Sequence, residues 1–282
     1  MPKQKRIAAI HDISGFGKCS LTVALPIISA AGIEVAVMPT AVLSTHTGGF
    51  DGYTYRDLTD DMRPMTRHWE ALGIEFDAIY SGFLGSFEQI SIVKEFIDSF
   101  KTADTIVLVD PAMADNGKMY PVFNMDFANE MAGLCAKADI IVPNMTEAAF
   151  LLGERYLERP YTHAYIDHLL RKLSSLGPSK VVLTGVTFDE DRLGAASFDK
   201  NSGEVYNAFS DTIDGNFHGT GDIFASAMLA AYLSGKTIAQ SAQIAVDFTC
   251  GSIQRTKDAG TDVRYGVNFE AGIADLIKEL EV

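Results

Sequence analysis

Short apolar runs that each stop on a polar residue, separated by longer stretches with helical spacing, constrain this chain more than any other feature. RIAAI (6–10) leads into His11-Asp12, and DAIYSGFLGS (77–86) runs through Tyr80 and Ser81 into glycine. TIVLVDP (105–111) ends at Asp110-Pro111, ADIIVPN (138–144) at Asn144, and KVVLTGV (180–186) carries Thr184 near its end. Runs this short and this apolar are strands buried on both faces. EVAVMPTAVLS (34–44) reads as a further strand and its exit. LTVALPIISAAG (21–32), QISIVKEFIDSFK (89–101) and YIDHLLRKLSSLG (165–177) read as helices, the first kinked at Pro26 and the last capped by Gly177. The segment 192–209 has hairpin character with NSG as its turn, and helices follow over 221–234 and 237–256.

Strand–helix–strand alternation predicts an α/β fold of three layers, with a central, mostly parallel sheet between helices. No repeat or linker interrupts it, so residues 1–282 read as a single domain. In such sheets ligands bind beyond the carboxyl ends of the strands, and the polar residues sit there.

Composition removes several classes of function. A net charge of −14 and a pI near 4.8 argue against a nucleic-acid partner, because phosphate backbones demand basic patches. No run of about 18 apolar residues suggests a membrane span, and the apolar part of MPKQKRIAAIHD is too short for a signal sequence. Cys19, Cys135 and Cys250 are far apart, with no CxxC pair, which fits a reducing, cytoplasmic setting.

Chemistry concentrates in NFHGTGDIFASAMLAAYLSG (216–235). Asp222 falls in the first turn of a helix that otherwise looks buried, where the dipole favours a carboxylate. A plain cap by Asp222 or Thr220 is one explanation. Gly219 and Gly221 argue for another, since they let a ligand approach the backbone and free N–H groups form an anion nest. A nest beside one carboxylate is what phosphoryl transfer to a hydroxyl requires.

At this point GTGD (219–222) resembles the signature of the ribokinase-like small-molecule kinases. STHTGGF (44–50), SGFLGS (81–86), VDPAMADNGKMY (109–120) and IVPNMTEAAFL (141–151) resemble, in order, the blocks of the pyridoxal kinases. The resemblance covers residues 6–256. It implies ATP-dependent phosphorylation of the 5′-hydroxymethyl group of pyridoxal, pyridoxine or pyridoxamine. It makes Asp222 the general base and Gly219, Thr220 and Gly221 the anion hole. Asp110, Asn144, Glu147 and Thr184 would lie at the nucleotide phosphates, with Asp110 and Glu147 acting on Mg²⁺ through water. Asn144 and Glu147 read equally as a capping box. His46 and Thr47 in the glycine-rich turn would close over the vitamer, and Tyr80 would face it. The 114–120 stretch resembles a mobile loop near the phosphates, and adenine would lie between a 206–217 loop and the 244–256 helix. Mg²⁺ with ATP, a monovalent cation such as K⁺ and a homodimer are the implied cofactors and assembly.

HDISGFGKCS (11–20) departs from many pyridoxal kinases, and its D-x-S-G is similar to that of the hydroxymethylpyrimidine kinases. Asp12 and Ser14 would then face the substrate ring, unless they only shape the turn. The same stretch fails as a P-loop, because Cys19 follows Lys18 where Ser or Thr is needed. His163 and His168 are badly spaced for a shared metal face. Against the kinase reading stand a hydroxymethylpyrimidine kinase and a non-catalytic vitamer-binding protein on the same fold.

Overall fold

In the computed structural model, which describes residues 3–282, the chain opens with β1 (Arg6–Ser14), α1 (Leu21–Ala30), β2 (Glu34–Leu43), β3 (Tyr55–Asp57) and α2 (Thr59–Ala71). It continues through β4 (Ala78–Ser81), α3 (Phe87–Phe100), β5 (Ile106–Val109), β6 (Ala114–Asp115), β7 (Lys118–Met119), α4 (Met125–Cys135), β8 (Ile140–Ile141) and α5 (Met145–Leu151). The last part holds α6 (His163–Ser175), β9 (Lys180–Val186), β10 (Arg192–Asp199), β11 (Glu204–Asp211), α7 (Thr220–Leu233), α8 (Ile238–Ala259) and α9 (Ile273–Leu280).

One nine-stranded sheet runs in the order β11-β10-β9-β8-β5-β4-β1-β2-β3. From β9 to β2 every pairing is parallel. At one edge β3 pairs antiparallel with β2, and at the other β10 and β11 form an antiparallel hairpin on β9. The period-2 geometry of a strand divides the apolar residues between two cores. Ala8, Ile10, Ile79, Val107, Val109 and Val181 face α2 to α6. Ile7, Ala9, Tyr80, Leu108, Ile140 and Val182 face α1, α7, α8 and α9. The three-layer arrangement expected from the alternation is the one observed.

Local chemistry accounts for the departures. Pro143 has no amide to donate, which leaves β8 only two residues long although Val142 still bonds Val109. Helix α6 starts earlier than the apolar spacing indicates, at His163, because the Thr162 hydroxyl caps it through the Tyr165 amide. Among the described residues no helix is long and apolar enough to cross a membrane.

Helix α7 is buried nearly all round, with every residue from Ile223 to Ala231 in the interior. It packs between α1 and α8, so its first turn is held in a fixed place at the carboxyl edge of the sheet.

Candidate active site

The carboxyl ends of β1, β5 and β9 and the first turns of α5 and α7 converge at this edge. Gly219 caps α7 with φ 76°, and a Cβ there would stand 2.0 Å from the Lys18 carbonyl. Only glycine fits on both counts. No side chain caps α7, so the capping explanation of Asp222 and Thr220 is removed and the first amides stay available to an anion. Gly221 is exposed, with no heavy atom within 4 Å of where its Cβ would be.

Asp222 Oδ2 accepts the Ser20 backbone N–H at 2.9 Å. Burial raises the carboxyl to about 6, and neighbouring Asp12 pushes it the same way. Asp12, near the end of β1, accepts the Ser20 hydroxyl at 2.6 Å and the Ser14 hydroxyl at 3.2 Å. Burial raises it too, against those two hydrogen bonds. Ser20 therefore touches both carboxylates. Sequence reasoning missed it, because a serine just before α1 carries no signal in its residue type alone.

Asp110 leaves β5 and is held well above the usual carboxylate range by burial, with Glu147 and Asp222 adding negative charge nearby. Glu147 is buried and raised to about 7, mainly by desolvation, although its oxygens accept the Met113 and Asn144 amides at 3.1 and 2.9 Å. Asn144 Oδ1 accepts the Thr146 and Glu147 amides, so the capping box is real. It does not exhaust Glu147, because a carboxylate has about four acceptor positions. Thr184 lies beside Asn144 through an isolated bridge.

None of Asp12, Asp110, Glu147 and Asp222 is paired with a Lys, Arg or His among the described residues. Nor, among the described residues, do three metal-ligating side chains converge closely enough to hold an ion directly. A cluster of buried carboxylates with no protein cation fits a hydrated divalent ion, which needs few direct ligands and relieves the mutual repulsion.

Several expected roles change. Tyr80 has no exposure and packs beneath α7, edge-on to His11 with ring centroids 4.3 Å apart, so it underlies the site and does not face an open cleft. His46 bonds backbone on both sides: Nε2–H donates to the Arg264 carbonyl at 2.6 Å and Nδ1 accepts the Gly48 amide at 3.1 Å. Its ring also closes on Gly17, where a Cβ would come within 2.3 Å. His46 thus pins the 44–50 turn and has no nitrogen left for a ligand, while Thr47 is exposed. The 114–120 stretch is a hairpin, β6 and β7 around an Asn116-Gly117 turn with both φ positive, as a two-residue loop of this kind requires. Asn144 Nδ2 holds the Ala114 carbonyl and Thr146 Oγ1 holds the Gly117 amide. Residues through 211 belong to β11, so only the end of the 206–217 segment is loop; α8 packs on β11, with Cys250 Sγ 3.6 Å from the Asp211 carbonyl. Lys18 is turned away, onto Asn268 and Glu270.

Comparison with known proteins finds relatives of the same fold. The profile of the family described as phosphomethylpyrimidine kinase matches residues 28–267. A protein of Bacteroides thetaiotaomicron assigned to the phosphomethylpyrimidine kinases, crystallised with pyridoxal, is 36% identical and superposes with a TM-score of 0.91 over 99% of this chain and 96% of its own. Pyridoxal kinase of Lactobacillus plantarum is 28% identical with a TM-score of 0.90, covering 97% of each chain. Pyridoxal kinase of Vibrio vulnificus is 25% identical over 274 residues, 90% of this chain and 88% of its own.

Proposed function

The chain belongs to the phosphomethylpyrimidine kinase family, and from its pyridoxal kinase relatives we propose that it is a pyridoxal kinase of ribokinase-like fold. It moves the terminal phosphoryl group of ATP onto the 5′-hydroxymethyl group of pyridoxal, pyridoxine or pyridoxamine. The observation that carries this reading is Asp222, a carboxylate with one free oxygen at the uncapped start of a buried helix.

In this reading the substrate hydroxyl donates its proton to Asp222 Oδ1 as its oxygen bonds the phosphorus. The bond to the ADP oxygen breaks, and ADP leaves with its electron pair. The amides of Thr220, Gly221 and Asp222 receive the charge of the transferring group. Asp110 and Glu147 would hold Mg²⁺ through water, and Asn144 and Thr184 flank the phosphates. When bound, the ion neutralises phosphate charge. Asp12 and Ser14 would meet the ring, as the D-x-S-G resemblance implies. K⁺ and a homodimer, which rest on family resemblance, and a cytoplasmic location, which rests on the cysteine pattern, complete the reading.

A second reading, phosphorylation of hydroxymethylpyrimidine, is favoured by the family's description and by Asp12 and Ser14 in D-x-S-G. The pyridoxal bound to the Bacteroides relative and the pyridoxal kinases among the relatives favour the vitamer. Phosphorylation assays with each B6 vitamer and with hydroxymethylpyrimidine decide between them. A vitamer should give the highest kcat/KM; a reversed ranking assigns the chain to the pyrimidine.

A further inference from the structure

We propose that Ser20 is a positioning residue for the reaction: by anchoring its hydroxyl on Asp12 it holds its own backbone N–H against Asp222 and so aims the base. The inference rests on the reading of Asp222 as that base.

Two donors of one residue reach two different carboxylates. Ser20 Oγ–H donates to Asp12 Oδ1 at 2.6 Å and Ser20 N–H to Asp222 Oδ2 at 2.9 Å. The second is the one hydrogen bond described for the Asp222 side chain. Of the titratable groups around it, Asp12 acts on Asp222, and Asp222 in turn acts on Cys19, Tyr80, Asp110 and Tyr120; none of them is a cation. No ion pair therefore fixes this carboxylate.

The conformation of Ser20 is unusual in a way that fits the role. Its φ of 52° and ψ of −131° lie where residues other than glycine are costly to hold. It occupies the N-cap of α1, where a serine hydroxyl ordinarily accepts an amide two or three residues on. Here it makes no such bond. The hydroxyl gives up the cap and turns to Asp12 instead. Asp12 is a rigid anchor, buried in β1 and tied also to Ser14. Rigidity thus passes from the sheet through Asp12 and Ser20 to one oxygen of Asp222, leaving the other free for the substrate hydroxyl.

Two substitutions separate this device from other uses of a serine. Ser20→Ala removes the anchor but not the cost of the positive φ, so the loop relaxes and the amide leaves Asp222. Its kcat should fall about ten- to hundredfold, the scale of a small misplacement of a reacting group, with vitamer KM within about threefold. Ser20→Gly also lacks the hydroxyl, yet glycine adopts this conformation freely, so kcat should return to within about threefold of wild type. Equal kcat losses in both variants, a change in KM in place of kcat, or a wild-type kcat in Ser20→Ala with only a lower thermal midpoint would each overturn the proposal. If Ser20→Ala fails to fold, Ser20→Cys, whose thiol is a weaker donor at the same positive φ, takes its place: a kcat below that of Ser20→Gly upholds the proposal, and a kcat equal to or above it overturns the proposal. Asp222→Asn, assayed in parallel, isolates the underlying reading. Normal turnover in that variant removes the base itself, whereas lost turnover there beside a normal Ser20→Ala rejects Ser20 alone.

Discussion

The Ser20 amide and the Asp222 carboxylate meet at 2.9 Å across 202 residues of sequence. The site is therefore made where the first and last parts of the fold close on each other, and its variants report on both chemistry and folding.

Asp222→Asn should lower kcat by about 10²–10⁴-fold, the contribution of a positioned general base. Vitamer and ATP affinity should change little. Because the wild-type carboxyl is raised by burial, its ionised form opposes folding at neutral pH. The variant's thermal midpoint at pH 7 should equal or exceed wild type. Calorimetry beside steady-state kinetics checks both, and turnover within a few-fold of wild type would remove Asp222 as the base.

The pH dependence follows from the same group. Catalysis needs ionised Asp222, so kcat should fall as pH drops through about 6. Stability runs the other way. A raised folded pKa means the folded state binds more protons than the unfolded chain between about 4 and 6, so this group's contribution weakens as pH rises through that window. Glu147, raised to about 7, extends the effect to neutrality. Thermal melts at pH 5.5 and 7.5 should show Mg²⁺ stabilising more at 7.5, where the carboxylates are ionised. Equal stabilisation at both values would separate the ion from these residues.

Glu147→Gln should be costlier than a simple loss of charge. Both oxygens receive backbone N–H groups, from Met113 and Asn144, and an amide turns its NH₂ toward one of them. An unsatisfied buried group costs about 1–3 kcal/mol, so a lower thermal midpoint should accompany a higher Mg²⁺ requirement. An unchanged Mg²⁺ titration would leave Glu147 as a capping residue alone.

The two glycines of the motif should answer differently to alanine. Gly219→Ala forces a side chain to positive φ and into the Lys18 carbonyl, and should cost about 1–3 kcal/mol or more in urea unfolding. Gly221→Ala meets nothing in the protein, so the fold should be kept. Its methyl would crowd the approaching phosphoryl group, and kcat should fall about tenfold or more. A normal kcat in Gly221→Ala would place the phosphate elsewhere.

Much of the architecture was legible because buried strands announce themselves as unbroken apolar runs. The parallel strands, β8 shortened by Pro143, the hairpin expected over 192–209 and α7 appear where the residues indicated. Helix α2 was not legible: in TDDMRPMTRHWEA only Met62 and Thr66 are buried, and Pro64 interrupts the pattern. Of the site, residues at strand ends and in GTGD could be found because their placement follows from topology. Ser20 could not, since its importance lies in a backbone amide and a positive φ, neither of which a residue type declares. His46 shows the converse. A histidine among glycines suggests a ligand, but only the fold reveals that the Arg264 carbonyl and the Gly48 amide already occupy its nitrogens.

The Lys18 amide bonds the Tyr265 carbonyl, and Gly219 packs on the Lys18 carbonyl. During synthesis the segment bearing Asp12 and Ser20 emerges from the ribosome long before the residues that lock it. A growing chain that has completed most of its sheet still lacks both Asp222 and the turn that supports Lys18. The groups at this edge meet only once the chain has reached residue 222, and the Tyr265 carbonyl that holds the Lys18 amide follows later still.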